Sequence, residues 1–561
     1  MLKKILSVTL ISLIPFLSNV VLGQDTLLNI LQKELGKIDQ TLKKQELPPY
    51  FIDFRLNELK TTVIQYSSGN LVRYEIDNHN RVLSIGLRIG NYKEDNTSSQ
   101  TDMEGGDQAL QNITCQLPLD NDSVAIAQIV RSDVDLAYKN ALQQYKALQT
   151  NKNAESKKEK APAFSMEEVS HYYEAPTKMN MGQKELDGWK KTLKDIASLI
   201  EQDTNIVISE VILGISNERI YYINNEGSSI VQNRPQYQIQ FFAGIRTTDD
   251  NIAPLFKSYV VNDLQAFPSY ETMIADTREM MNHLNALRNA PIAEPYAGPS
   301  IFSNEAAGVI FHEIFGHRIE GQRLRNEYDG QTFLDKQGKK VLDSGLTILF
   351  DPTLKEFEGK PLFGSYKYDD QGVKSQPVTI VNKGILVDFL MSRTPIKNHE
   401  KSNGHGRAQA GMAPFSRQSN LIVKFSSGET DANLRKMLIK ESKKQGKAYG
   451  YFIKEVYGGF TNTMVFSPQV FNILPTLVYR VYADGRPDEL VRGVNFIGTP
   501  LTVFSEIIAN GNQYGIFNGF CGAESGSVPV STVCPQLLIK KIETQKIPET
   551  KLWFPSIKKP E

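Results

Sequence analysis

The sequence predicts an α+β protein in which an N-terminal mixed α/β domain precedes a strand-rich C-terminal domain. The chain has 561 residues, a length that is usually divided between two or more domains. Helical and strand periodicities alternate over the first half, whereas strand patterns and turn residues dominate the second half. We therefore assign residues 24–295 to the first domain and residues 296–550 to the second.

Four segments of the first domain have the periodicity of amphipathic helices. They are Asp25 to Lys44, Asp122 to Leu148, Glu185 to Gln202 and Leu264 to Asn289. Strand patterns occupy Tyr50 to Asn91 and Ile206 to Arg246. The polar, lysine-rich stretch from Lys152 to Lys160 is predicted to be a solvated loop or linker.

The second domain is predicted to be rich in strands after its first helix. Hairpin patterns occupy Thr379 to Leu390 and Thr476 to Val491. One helix is expected from Asp431 to Gln445, with Thr430 as its N-cap and Gly446 as its stop. An exposed strand edge in such a domain can hold a peptide in extended form.

The N-terminus has the pattern of an export signal over residues 1–23. Lys3 and Lys4 precede an apolar stretch from Ile5 to Phe16, and a cut after Gly23 leaves Gln24 as the mature start. An uncleaved anchor is the alternative. We expect an exported protein, periplasmic or extracellular, with no stable membrane span in the mature chain.

The charge balance argues against a nucleic-acid partner. Lys plus Arg number 63 and Asp plus Glu number 63, so the formal net charge is zero. Nucleic-acid-binding domains carry an excess of basic residues. Hydrophobic residues make up 40% of the chain, which is ordinary for a globular protein.

The segment from His312 to His317 carries the most chemical information. It places two imidazoles around Glu313 in an apolar, helix-like stretch, in a chain with seven histidines. Neutral imidazoles bind zinc, and a neighbouring carboxylate can take a proton from water that the metal has acidified. Glu313 follows His312 directly and projects about 100° round the helix from it, so Glu313 is the candidate general base.

The spacing of the two histidines requires a break in the helix. Residues five apart lie about 140° apart on a straight α-helix, which prevents both side chains from reaching one ion. Gly316 could break or widen the last turn at low steric cost. The alternative is a helix with two unrelated histidines, one of them buried and hydrogen-bonded.

The second half resembles the TldD/PmbA metallopeptidases. The resemblance begins with His312-Glu313-x-x-x-His317-Arg318-Ile319-Glu320-Gly321. It continues, in the family's order, with Tyr368-Asp369-Asp370-Gln371-Gly372, Asn403-Gly404-His405-Gly406-Arg407, Pro414-Phe415-Ser416-Arg417-Gln418-Ser419-Asn420 and Phe520-Cys521-Gly522 with Val528-Pro529-Val530. The first half matches the family only in its general layout.

The resemblance implies a zinc ion held by His312, His317 and Cys521, with a fourth position for water or substrate. Glu320, three residues after His317, is a rival ligand, and Cys521 could instead be a small buried hydrophobe. The family usually has Lys and a Gly-Gln pair after Cys-Gly, whereas residues 523–526 here are Ala-Glu-Ser-Gly. This departure leaves the ligand in place and puts the substrate contacts in doubt.

Four further residues of these motifs are candidate substrate contacts. Arg407, Arg417 and Asn420 could bind the peptide backbone or stabilise an oxyanion, and His405 could do the latter. The alternative is that they hold loops by hydrogen bonds. Asp369 and Asp370 are interpreted as caps of a turn.

The three cysteines do not form an even framework. After export, Cys115 and Cys534 could pair and leave Cys521 free for metal, or Cys534 could compete for Cys521.

Three functions compete. The first is a zinc peptidase that hydrolyses unfolded or short peptides. The second is a catalytically inactive partner subunit, and the third is an exported binding protein. The resemblance also implies a dimer, either a homodimer or a heterodimer with a paralogue.

Overall fold

The computed structural model describes residues 25–98, 112–151, 161–177, 181–464, 471–498 and 500–546. It contains 26% helix and 43% strand, which confirms the predicted α+β class with a strand-rich second half. The expected signal peptide (1–23) and lysine-rich linker (152–160) lie outside the described residues. No helix of the described residues is long and apolar enough to cross a membrane.

The first half is built on one sheet. Its four helices are α1 Thr26–Leu42, α2 Ser123–Asn151, α3 Gln183–Ile200 and α4 Tyr270–Asn289. Its strands are β1 Pro49–Ser67, β2 Asn70–Ile89, β3 Ile113–Gln116, β4 His171–Tyr173, β5 Ile206–Asn224, β6 Ser229–Arg246 and β7 Ile252–Val261. The strand order is β3-β2-β1-β5-β6, with β4 and β7 both paired to β6. All pairs are antiparallel except β4 with β6.

Two helix pairs cover different parts of this sheet. Helices α1 and α2 pack near the start of β1, around Phe54, and α3 and α4 pack near its end, around Ile64. The helices form because their apolar residues recur on one side, as the periodicity predicts. Each pair thereby encloses its own apolar core.

The helix predicted from Leu264 to Asn289 is broken in the structure. A short 3₁₀ turn spans Leu264–Ala266, and α4 begins only at Tyr270. Pro268 lies between them; it has no backbone N–H and disfavours helical geometry in the residue before it. Ser269 then caps α4, its Oγ accepting a hydrogen bond from the Thr272 N–H at 3.2 Å.

The second half is dominated by an eleven-stranded sheet. The helices of this half are α5 Asn304–Ile314, α6 Asp431–Lys444 and α7 Pro500–Ser505. The strands of this half are β8 Tyr296–Phe302, β9 Leu346–Phe350, β10 Glu356–Phe357, β11 Lys360–Pro361, β12 Val378–Asn382, β13 Ile385–Leu386, β14 Gly406–Arg407, β15 Phe415–Ser416, β16 Asn420–Phe425, β17 Tyr449–Thr461, β18 Phe471–Tyr482, β19 Glu489–Val491, β20 Val494–Gly498, β21 Ile507–Ala523 and β22 Gly526–Lys546. The main strand order in the eleven-stranded sheet is β13-β12-β9-β16-β22-β20-β18-β17-β8.

Part of this sheet closes on itself around α5. Strand β8 pairs with β17 and also with β22, so β22, β20, β18, β17 and β8 form a closed ring. Every residue of α5 from Ala306 to Ile314 is buried. A helix that is buried on nearly all sides requires such enclosure, because most of its surface is apolar. The ring therefore fixes the helix that carries the first histidine.

Candidate metal centre

The α-helix that carries His312 ends before His317. Helix α5 stops at Ile314, and a 3₁₀ segment runs over Gly316–Ile319. The Arg318 guanidinium donates to the carbonyls of Glu313 at 2.9 Å and Ile314 at 3.2 Å, which satisfies the free end of the helix. The break predicted at Gly316 is thus present, and it brings His317 round to face His312.

The backbone at Gly316 has no room for a side chain. A Cβ at this position would lie 1.9 Å from Oε1 of Gln418 and 2.3 Å from its Cδ. Gln418 is fully buried, and its amide nitrogen lies 3.3 Å from the His312 carbonyl oxygen and 3.5 Å from His312 Nε2. Gly316 and Gln418 therefore fit together as a size-matched pair behind the first histidine.

Cys521 completes a three-residue cluster with the two histidines. It lies near the end of β21, close to the turn into β22, and its Sγ is 3.2 Å from His312 Nε2 and 3.5 Å from His317 Nε2. The three ligand atoms all lie within 4.8 Å of one another, and all three residues are buried. Residues separated by more than 200 positions thus converge on one point.

The donor set fits a zinc ion. Tetrahedral zinc with bonds of about 2.0–2.1 Å to nitrogen and 2.3 Å to sulfur separates these atoms by roughly 3.5 Å. The two observed nitrogen–sulfur distances of 3.2 and 3.5 Å agree with that value. Two imidazoles and one thiolate also match the ligand types of catalytic zinc sites that keep an open position.

Glu320 holds His317 from the side away from the cluster. Its Oε2 lies 3.1 Å from His317 Nδ1, whereas His317 Nε2 faces Cys521. A carboxylate on the second nitrogen fixes the orientation of a ligating imidazole. The rival interpretation of Glu320 as a metal ligand is therefore replaced by a positioning role.

Two buried arginines tie Glu320 to the hairpin that carries Cys521. Arg323 contacts Glu320 at 2.8 Å and binds Glu524, and Arg417 Nε lies 3.6 Å from Glu320 Oε1. Arg417 also donates to Oγ of Ser525 at 2.8 Å and to the carbonyl of Cys521. Arg417, predicted as a substrate contact, is completely buried and instead secures the cysteine turn.

The charges around the cluster favour a thiolate. Burial alone would raise the pKa of the Cys521 thiol, but the imidazoles of His317 and His312 and the Arg417 guanidinium outweigh it and bring the pKa well below its usual value. In the same cluster, burial raises the pKa of the Glu313 carboxyl, and the negative charge of the nearby Cys521 raises it further. A low-pKa thiol is ready to bind metal.

Arg407 and Asn420 serve the scaffold. Arg407 is buried, donates to the Gln418 carbonyl and lies over the Tyr366 ring at 4.7 Å. The amide nitrogen of Asn420 donates to the carbonyls of Asp351 and Leu354, each at 2.9 Å. Neither residue lines the cavity beside the histidines, so the structure does not bring these two predicted substrate contacts to the cluster.

His405 is also buried away from the cavity. Its Nε2 lies 3.0 Å from Oγ of Ser419, and its Nδ1 lies 3.1 Å from the Asn403 carbonyl oxygen. Burial lowers the pKa of His405 to about 3, and the charge of Arg407 contributes. The imidazole is therefore neutral in the folded protein and stabilises a loop rather than an oxyanion.

This buried imidazole predicts an acid sensitivity. Its folded pKa of about 3 lies below the unfolded value near 6.5, so the unfolded chain binds the extra proton and stability falls as the pH drops from about 6.5 towards 3. At pH 5 this one group should lower the free energy of unfolding by about 2 kcal/mol. We expect His405→Gln to show a smaller drop in melting temperature between pH 7 and pH 5 than the unmodified protein. The exposed His171→Gln is the control, and an equal drop in all three proteins would contradict this role.

Asp369 and Asp370 make the turn contacts that the sequence predicts. Oδ1 of Asp369 accepts hydrogen bonds from the backbone of Gln371 and Val373, each at 2.9 Å. Oδ2 of Asp370 accepts from the Ala408 N–H at 2.8 Å. Asp370 also contacts Arg234 at 2.9 Å, which joins the two halves of the chain.

The cysteine pairing considered from the sequence is not formed. All three cysteines are free. Cys115 is half-buried beside the core of the first sheet, whereas Cys534 lies in the core of the second. Cys521 thus has no disulfide partner.

A cleft of about 430 Å³ opens beside the cluster. One wall is the end of β17, from Tyr457 to Thr461. Strand β17 pairs with β18 along its length but with β8 only at residues 451–453, so its other edge beyond that point has no strand partner within the described part of the chain. Motif analysis missed this edge, because a free edge depends on where distant strands pair.

Arg323 and Glu524 also line this cleft, and sequence analysis did not assign them a role. Arg323 follows the histidine motif, and Glu524 is one of the departures after Cys-Gly. The departure was the available signal, because a changed residue three positions from a candidate ligand lies near the candidate site.

The C-terminal part of the chain is similar to known metallopeptidases. Residues 296–546 match the family described as PmbA/TldA metallopeptidase C-terminal domain. A metalloprotease of Archaeoglobus fulgidus is 30% identical over 264 residues, which are 47% of this chain and 56% of that protein. A zinc metalloprotease TldD homolog of Saccharolobus solfataricus is 26% identical over 254 residues, which are 44% of this chain and 52% of that protein. The chain spans about half the length of these curated relatives, and the resemblance to TldD/PmbA metallopeptidases is supported over its C-terminal part.

Solved structures share the fold over nearly the whole chain. A crystal structure from Thermotoga maritima has a TM-score of 0.61 at 15% identity and covers 92% of this chain and 100% of that one. TldE from Thermococcus kodakarensis has a TM-score of 0.59 at 12% identity and covers 92% and 100%. At these identities the likeness concerns the fold alone.

Proposed function

We propose that this protein is a zinc-dependent peptidase that hydrolyses peptide bonds in unfolded or short peptides. The convergence of His312, His317 and Cys521 within 4.8 Å is the observation that carries the proposal. The names of the curated relatives, metalloprotease and zinc metalloprotease, support the activity and the metal.

The catalytic work of the chain itself falls to Glu313. When bound, a zinc ion supplies a Lewis acid that polarises a peptide carbonyl and makes water more acidic. The Glu313 carboxylate lines the cleft, 4.0 Å from His317 Nε2, where it can accept a proton from the attacking water. It then returns that proton to the nitrogen of the leaving amine.

The free edge of β17 supports an extended substrate. This edge, which has no strand partner beyond residue 453 among the described residues, lies in the wall of the cleft, where a peptide can add as a further strand. The apolar side chains of Tyr457, Phe460 and Phe520 are 41–54% exposed there and offer surface to substrate side chains. Main-chain pairing is tolerant of sequence, which suits an enzyme for short or unfolded peptides.

Loss of the thiolate should release the metal. We expect the purified protein to hold one zinc per chain, and Cys521→Ala to bind zinc at least a hundredfold more weakly, since it removes one of three ligands (about 3 kcal/mol or more). Zinc content after dialysis, measured by mass spectrometry, checks this. Cys115→Ala is the matched control, because Cys115 lies in the first sheet. Full zinc occupancy in Cys521→Ala would overturn the ligand set, and absence of peptide cleavage by the zinc-loaded protein would overturn the activity.

Two further parts of the proposal rest on the sequence. The signal-like N-terminus supports export to the periplasm or the outside of the cell. The family resemblance supports a homodimer, or a heterodimer with a paralogue. A catalytically inactive partner subunit remains the alternative function, and peptide cleavage separates it from the peptidase.

A further inference from the structure

Glu524 places an anionic group in the cleft beside the metal cluster. It follows Cys521 by three residues in the turn between β21 and β22 and lines the same cavity. Its side chain is 29% exposed, whereas the Arg323 side chain that it binds is 4% exposed. Both of its oxygens contact the Arg323 guanidinium, and the carboxylate is the more accessible member of the pair.

This negative charge is not cancelled by Arg323. The same guanidinium also contacts Glu320 at 2.8 Å and Asp329 at 3.1 Å, so three carboxylates share it. If the charge of Arg417 is taken to balance that of Glu320, Arg323 still faces two carboxylates. Oδ1 of Asp329 is buried and has no hydrogen-bond partner within the described residues. Glu320 thus faces His317 and Arg417 as well, while Asp329 and Glu524 share the one positive charge of Arg323, which leaves one negative charge in this group of side chains.

The rest of the cleft wall combines apolar side chains with three threonines and the Glu313 carboxylate. Apart from the histidines, Arg323 is the one cationic side chain among the described residues that line it. Phe520 and Tyr457 are exposed near the cluster and can cover the aliphatic stem of a long side chain or face a cation. These surfaces suit a group with an apolar stem and a positive end.

We propose that Glu524 forms a specificity subsite for a positively charged nitrogen group of the substrate close to the scissile bond. The group is either the side chain of Lys or Arg or the α-ammonium of the peptide. The inference deepens the proposed peptidase function and rests on the same cleft. It assigns a purpose to the residue at which this chain departs from the family pattern.

Matched peptides test the charge preference by binding. Arginine and citrulline have nearly the same shape and differ in charge, so each peptide is made in both forms, with the residue placed at successive positions. Binding is measured by fluorescence anisotropy on the zinc-loaded Glu313→Gln protein, alone and combined with Glu524→Gln, Glu524→Lys or the exposed control Glu400→Gln. Peptides with free and acetylated N-termini separate the α-ammonium from the side chain.

We expect at least one position where the arginine peptide binds about fivefold more tightly than the citrulline peptide, the value of one partly exposed ion pair (about 1 kcal/mol). Glu524→Gln should abolish this ratio, Glu524→Lys should invert it, and Glu400→Gln should keep it. If acetylation of the peptide N-terminus instead weakens binding about fivefold, and does so only in proteins that keep Glu524, the bound group is the α-ammonium. The ratio compares the affinities of two peptides for the same protein. A general loss of stability in a variant lowers both affinities equally and leaves the ratio unchanged.

Two results would overturn the subsite. One is equal binding of all charged and neutral peptides, including no binding of any. The other is a preference for the charged form that survives in Glu524→Gln. Failure of the peptidase function is seen separately, as absence of cleavage by the zinc-loaded protein with Glu313 intact. Preferential binding without cleavage would therefore support the subsite and reject the enzyme.

Discussion

Replacing Glu313 by Gln should reduce peptide cleavage by about a thousandfold, within the usual range for loss of a general base. The amide keeps the size of the side chain but cannot accept the proton of the attacking water. Zinc content and melting temperature should stay unchanged, because the ligand atoms belong to His312, His317 and Cys521. Cleavage of a fluorogenic peptide, zinc analysis and thermal unfolding together check the result.

The same helix provides a matched control for this substitution. Glu305 lies in the first turn of α5, on the surface, and Glu305→Gln makes the same chemical change away from the cleft. We expect it to cleave peptides at nearly the normal rate. A near-normal rate in Glu313→Gln would reject the base, and loss of zinc in that variant would place Glu313 among the ligands.

Gly316→Ala should weaken zinc binding by about one hundredfold, the upper range seen when the support of a metal ligand is removed. The new Cβ would overlap the Gln418 amide, which is fully buried and contacts His312. Relief of this overlap must displace either the His317 turn or the amide that touches His312. Competition with a zinc-binding dye measures the change.

A second substitution should restore the site. Gln418→Ala removes the amide that overlaps the new methyl group, so Gly316→Ala combined with Gln418→Ala should bind zinc as tightly as Gln418→Ala alone. Gly36→Ala is the control, because a Cβ at Gly36 meets no atom within 4 Å. If the double variant is as defective as Gly316→Ala, the overlap with Gln418 is not the reason for glycine at this position.

The sequence and its family resemblance predicted three residues that the structure brings together, but not their support. Two histidines five residues apart, with a glycine between them, indicated a helix that must break, and α5 ends as expected. Cys521 followed from the family resemblance, since nothing local connects it to residues more than 200 positions earlier. The buried Gln418 behind His312 was not recognised, because its role depends on packing against Gly316.

The candidate substrate contacts show what motif-based prediction leaves open. Arg407, Arg417, His405 and Asn420 lie in glycine-rich and turn-rich stretches, where polar side chains serve either ligands or loops. All four are buried in the structure. A motif identifies the residue type and its order along the chain, but the direction of each side chain is set by strand pairing that the motif does not contain.

Local signals also failed where tertiary structure or proline decided the outcome. The periodicity from Leu264 to Asn289 is continuous, yet Pro268 divides the segment into a 3₁₀ turn and α4. The free edge of β17 exists because β8, about 150 residues earlier in the chain, pairs with only part of it. Boundaries of this kind follow from long-range pairing and not from neighbouring residues.

The separation of Cys521 from the histidines determines when the metal can be acquired. Closing a loop of 204 residues costs chain entropy, and contacts of such sequence separation form slowly during folding. The complete ligand set is present only after the last long hairpin has joined the sheet. A nascent chain that has not yet synthesised this hairpin has the two histidines but lacks Cys521, so the candidate ligand set is incomplete. For the proposed zinc peptidase, folding would therefore come first and tight metal loading last, and an incomplete chain would lack the proposed activity.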